Sequence, residues 1–156
     1  MQNFHHSMTI NAPIKQLFSA CSTESGLRAW WTQDCDAGSQ VGDQIVVRFG
    51  STSKTMQIDR LVPSSEIRWH VTKAYLDVTH LRKKDEWKGT TICILLHSES
   101  ATQTHLTLEH VGLNSGVECY GICSDGWIQF LNSLKAFVET GYGSPYQHRF
   151  ISKINE

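Results

Sequence analysis

Two histidines in the 156-residue chain sit where chemistry could be done: His6 in "FHHSMTI" and His110 in "THLTLEHV". In both stretches apolar and polar residues alternate, as in half-buried strands, and the alternation turns both imidazoles toward the interior. Meeting across neighbouring strands, they could grip a ligand carboxylate, pass a proton or hold a metal; the plainer reading is a pair of hydrogen-bonded core histidines. Cys119 and Cys123 stand four apart, on one helical face. With His110 they outline a zinc site, but structural zinc generally needs four ligands in tighter pairs, and no second pair exists. No metal or other cofactor is expected. A thiol nucleophile would need a base and an orienting third group, which the pattern does not single out, so no catalytic residue is assigned.

The aromatic residues give a second set. Trp30 and Trp31 close a short helix, Trp69 points inward from a central strand, Trp87 lies in an otherwise polar loop, and Trp127 and Tyr120 sit on the last helix. Aromatic walls with a few polar groups are typical of small-molecule sites. These six, with His6 and His110, form the expected ligand-binding set, against the alternative that the indoles simply fill a core.

The elements that must position them follow from periodicity. A strand covers "NFHHSMTI"; Pro13 then opens a short helix with Ile14, Leu17, Phe18 and Cys21 on one face, and a second helix runs from Glu24 to Trp31 behind a cap at Ser22 or Thr23. From Gln44 the period changes to two. Strands are expected over 44–49, 54–62, 66–72, 90–96 and 104–111, separated by turn signals and by the charged stretch "RKKDEWKG", whose mixed signs read as a solvated loop. Short connections imply an antiparallel meander. Its apolar parity selects Ile45, Val47, Met56, Ile58, Ile67, Trp69, Ile92, Ile94, Leu106 and Leu108, a face that needs a cover. A long helix supplies it: Ser115 and Glu118 match a capping box, which puts the start near Gly116, and Gly141 closes the helix after Thr140.

That helix contains Gly121 and Gly126, each costing about 1 kcal/mol relative to alanine. Phe130, Leu134, Phe137 and Val138 fill its second half, so the missing side chains predict a dense end and a hollow end. Close approach of a strand or loop is the competing explanation.

The totals bound the rest. A chain of this length fits one domain, residues 1–156, and buries about 68 to 70% of its unfolded surface. Fourteen Lys+Arg against fifteen Asp+Glu leave a formal charge of −1, which gives no footprint for nucleic acid or an anionic membrane. No run approaches a membrane span, and "MQNFHHSMTI" lacks the regions of a signal peptide, so a cytoplasmic location is expected. Five scattered cysteines suit reduced thiols. The tail "YQHRFISKINE" could be an extra element packed on a neighbouring copy, as in a homodimer.

With the elements in order, particular words can be compared. "INAPIKQLF", "GLRAWWT", "VGDQ", "EWKGT", "LEHVGL" and above all "GWIQFLNSLKAFVETGYGSP" cover nearly the whole chain. The sequence resembles the SRPBCC or START-like superfamily, and within it the group labelled activator of heat-shock-protein ATPase homologue-like. The resemblance implies an α+β helix-grip fold: a curved six-stranded antiparallel sheet around a long C-terminal helix, with two short helices between the first two strands. It also implies a cavity between helix and sheet that, across the superfamily, holds lipids, sterols, polyketides or other apolar molecules. The expected function is binding of a small apolar or amphipathic molecule. Two alternatives are an enzyme of the cyclase, dehydratase or hydrolase kind using a cavity histidine, and a co-chaperone-like interaction module, the latter disfavoured because no additional N-terminal module accompanies the domain.

Overall fold

A computed structural model describes residues 1–147. The chain runs β1 (Phe4–Ile10), α1 (Ile14–Ser22), α2 (Glu24–Trp30), β2 (Cys35–Ala37), β3 (Gln44–Phe49), β4 (Thr52–Val62), β5 (Glu66–Tyr75), β6 (Thr91–Ser100), β7 (Gln103–Val111) and α3 (Tyr120–Thr140). All strands join one antiparallel sheet in the order β1-β7-β6-β5-β4-β3-β2. The sheet therefore has seven strands, not six. The additional one, β2, pairs Cys35 with Val47 and Ala37 with Ile45; three residues are too few to display an alternation.

Alternation decides which face is covered. Ile45, Val47, Met56, Ile58, Ile67, Trp69, Ile92, Ile94, Leu106 and Leu108 are all buried, in one core with Cys123, Trp127, Leu131, Leu134 and Val138 of α3. The two short helices pack at the other margin of α3. Thr23 caps α2 by accepting the Gly26 N–H at 3.1 Å, and Gly26 lets α2 approach α1 so closely that a Cβ there would lie 2.4 Å from the Ala20 carbonyl oxygen. No helix among the described residues is long and apolar enough to cross a membrane.

Helix α3 begins at Tyr120, later than the capping-box pattern predicts, and its 21 residues span about 32 Å. Glu118 does not reach back to Ser115. Its carboxylate instead accepts the N–H groups of Arg82 and Lys83 at 2.8 and 2.9 Å, while Glu86, from the same β5–β6 connection, accepts the N–H groups of Glu118 and Cys119 at 3.0 Å each. Two glutamates thus exchange hydrogen bonds between loop and helix start. The charged stretch is correspondingly ordered: the Lys84 ammonium donates to the Val78 and Leu81 carbonyls at 2.7 and 2.9 Å. At the other end Gly141, at φ 91°, closes α3 with its N–H on the Phe137 carbonyl, as the sequence predicts.

The tail beyond α3 returns to its own chain. Tyr146 donates its N–H to the Trp31 carbonyl at 2.9 Å and accepts the Gln33 N–H at 3.0 Å. The rest of the segment expected to pack on a neighbour, residues 148–156, lies outside the described residues.

Because Glu86 satisfies two otherwise free N–H groups at the positive end of α3, Glu86→Ala should cost about 1 kcal/mol. A thermal melt should show this as a fall of roughly 2–4 °C in Tm, and Glu86→Gln, which keeps one acceptor oxygen, should recover part of it.

Candidate functional site

The Trp30–Trp31 pair at the end of α2 starts a stack. The two indoles lie 5.5 Å apart and 4° from parallel, and Trp31 stacks in turn on Trp69 of β5 at 5.6 Å and on Trp127 of α3 at 5.4 Å. Trp127 continues to Trp87 at 5.8 Å. All five tryptophans therefore form one connected array, which joins α2, the sheet, the β5–β6 connection and α3.

Hydrogen bonds fix its orientation. The Trp127 Nε1–H donates to His110 Nδ1 at 3.0 Å, so the imidazole proton sits on Nε2 and points to Thr90 Oγ1 at 2.8 Å; the Thr90 hydroxyl donates to the Trp87 carbonyl at 2.6 Å. His110 and Thr90 thus each accept one hydrogen bond and donate one. Burial, aided by the nearby Lys54 charge, pushes His110 down to about 3. The ring is a neutral spacer.

Beside this array is a cavity of about 290 Å³. Trp31, Phe49 and Tyr146 wall one side, with Phe49 5.7 Å from Tyr146 and 5.6 Å from Phe130 of α3. Leu76, Val78 and Trp87 close it from the β5–β6 connection, and Cys123, Gly126 and Trp127 form the helix wall. Ile122 and Gln129 stand exposed at the rim. Gly126 answers why α3 tolerates a glycine: a Cβ built there meets nothing within 4 Å, so the missing side chain leaves space and permits no close approach. Gly121 also meets nothing, but it is exposed and outside the cavity.

Of the expected ligand-binding set, Trp31, Trp87 and Trp127 line the cavity. The others do not. Trp30 is buried beneath Trp31 with its Nε1–H on the Ala20 carbonyl at 2.9 Å, Trp69 is buried behind Trp31, and Tyr120, half-buried, packs on the core at the start of α3. The histidines do not meet. Strands β1 and β7 are neighbours as expected, but the register sets Phe4 opposite His110 and His6 opposite Leu108. With His6 half-buried away from the cavity and both nitrogens of His110 engaged, the histidine-based enzyme reading loses its geometry. No cluster of three or more metal-ligating side chains occurs among the described residues.

Of the cavity residues outside that set, two bear most on its chemistry. The ammonium of Lys54, on β4, lies 4.1 Å from the Trp87 ring centroid and 4.7 Å from that of Phe49. No carboxylate among the described residues is within ion-pair distance of it. Removal from water lowers its pKa to about 8, with Cys123 and Cys119 opposing the shift. The signal was present in the sequence, since Lys54 shares the inward parity of Met56 and Ile58. The second is Cys123. The Cys119 thiol beside it, with smaller pulls from the Trp87 N–H at 3.1 Å and from Lys54, outweighs burial and brings its pKa below the ordinary thiol range, while Cys119 is pushed up.

An antiparallel sheet closed over a C-terminal helix, with an aromatic cavity between them, places the molecule in the helix-grip class of α+β proteins. Within that class, the profile described as Activator of Hsp90 ATPase homolog 1-like protein matches residues 11–139, and the chain belongs to that family. A solved relative is the Aha1 dimer from Colwellia psychrerythraea, at 28% identity and a TM-score of 0.76, covering 92% of this chain and 100% of that one. Protein MLL2253 from Mesorhizobium loti shares the fold at 18% identity, TM-score 0.72 and coverage of 88% and 97%, as does SSP2350 from Staphylococcus saprophyticus at 16%, 0.70 and coverage of 94% and 100%. Comparison with curated proteins finds no match.

Cys123 should react with iodoacetamide first among the five cysteines, with a rate midpoint below the ordinary thiol range; Cys21 and Cys35, held by burial at about 12 and 11, should be slower by on the order of tenfold or more. Peptide mapping by mass spectrometry reads the order. His110 predicts acid sensitivity. Its unfolded value near 6.5 exceeds the folded one, so between these the unfolded chain binds the extra proton, and stability present above pH 6.5 is lost toward pH 3 at up to about 1.4 kcal/mol per pH unit. Urea titrations across this range should show a shallower slope in His110→Gln, along with lower stability at pH 7.

Proposed function

We propose that the chain binds a small apolar or amphipathic molecule in the cavity beneath Gly126, and that binding occurs without turnover. One observation carries the reading: the space at Gly126 is open where helix propensity would favour any larger residue, and Trp31, Trp87 and Trp127 surround it. At about 290 Å³ the cavity stands at the lower edge of the range of about 300–1,000 Å³ found for small-molecule sites, which suits a one- or two-ring guest better than a sterol. The helix-grip family supports ligand binding or polyketide-cyclase-type chemistry in general. Here His110 is neutral and fully hydrogen-bonded, which favours binding. Self-association like that of the dimeric Colwellia relative belongs to the same proposal.

Gly126→Leu tests it. The substitution should fill the cavity and raise helix stability by about 1 kcal/mol, so the melting temperature should hold or rise while affinity for a neutral bicyclic probe, 1-naphthalenemethanol, falls at least tenfold by isothermal titration calorimetry. Undiminished binding by the variant would put the guest elsewhere.

A further inference from the structure

Lys54 is the feature that simple apolar binding leaves unexplained. A lysine normally extends its ammonium to water along its flexible stem. Here the half-buried side chain holds its ammonium at the cavity wall against the rings of Trp87 and Phe49, whose faces attract a cation but carry no countercharge. The acidic groups nearby in sequence and fold are committed elsewhere. The Glu86 carboxylate holds the start of α3, and the exposed Asp77 carboxylate accepts the Ser51 hydroxyl. The remaining polar lining comes from Thr52, Gln129, Tyr146 and the Cys123 thiol, groups that are neutral or, for the thiol, of lowered pKa.

We propose that the guest is a monocarboxylate with a flat apolar body, its carboxylate seated on Lys54 and its body against the tryptophan and phenylalanine walls. This rests on the binding reading above and names the guest's chemistry. Charge count selects one anionic group: among the described residues Lys54 is the only cation lining the cavity, which matches a single carboxylate and leaves a phosphate dianion half-neutralised. The same count explains the placement. Without a carboxylate the half-buried ammonium has only ring faces beside it, and with one it gains a charge-assisted hydrogen bond at the cavity wall.

The experiment compares 1-naphthoate with 1-naphthamide, which has the same skeleton without the charge, by calorimetry at pH 7 on the full chain and on Lys54→Met and Cys123→Ala. The native protein should bind the acid at least tenfold more tightly than the amide. Lys54→Met should bind both alike, with the amide affinity retained, and should melt no lower than the native protein because a half-buried ammonium has been removed. Cys123→Ala should keep the preference. Equal binding of acid and amide by the native protein would overturn the assignment to Lys54 and leave cavity binding intact, as would a preference that persists in Lys54→Met. A preference that emerges only in Cys123→Ala would make the thiolate the lysine's own counter-ion and overturn it too. If neither compound binds, the cavity reading falls and the carboxylate assignment with it.

Discussion

The hydrogen bond from the Trp127 indole to His110 Nδ1 is the contact on which the cavity depends. It ties α3 to β7, sets the side of the imidazole that carries the proton, and orients the indole onto which Trp31 and Trp87 stack. A charged imidazole could not accept that hydrogen bond. Burial keeps the ring neutral, and Thr90 accepts the hydrogen bond of its remaining N–H, so a residue that looks catalytic in the sequence serves as a spacer between two aromatic planes.

Once the array is fixed, the polarity of the space follows. The walls are ring and aliphatic surface, with one ammonium and one thiol of lowered pKa among them. Neither improves packing. Groups that cost stability where they stand are a signature of function, because a chain selected for stability alone would hold a methionine at position 54 and a larger residue at 126.

Much of this was legible in the sequence, and the exceptions have physical causes. Parity gave the buried faces of β3 to β7, because a period of two admits one covered side. The vacancy at Gly126 was readable as a helix glycine without a turn to make, although Gly121, chemically identical, faces outward. Register was not readable: β1 and β7 are neighbours, yet the pairing slides His6 to Leu108. The start of α3 was misread because the residue types of a capping box do not reveal that Glu118 is claimed by N–H groups 35 and 36 residues earlier in the chain. Lys54 is hard to place from the sequence because lysines belong at surfaces by default, and parity alone argues otherwise. Phe130, in the half of the helix expected to be dense, lines the cavity instead.

The exchange between Glu86 and Glu118 acts mechanically as a clasp. It binds the loop that bears Trp87 to the first turn of the helix that bears Cys123, so those two walls travel as a single rigid block. At the opposite rim Tyr146 is held to the chain just after α2 by two backbone hydrogen bonds, and Ser144 donates its N–H to the Ser133 hydroxyl at 2.7 Å.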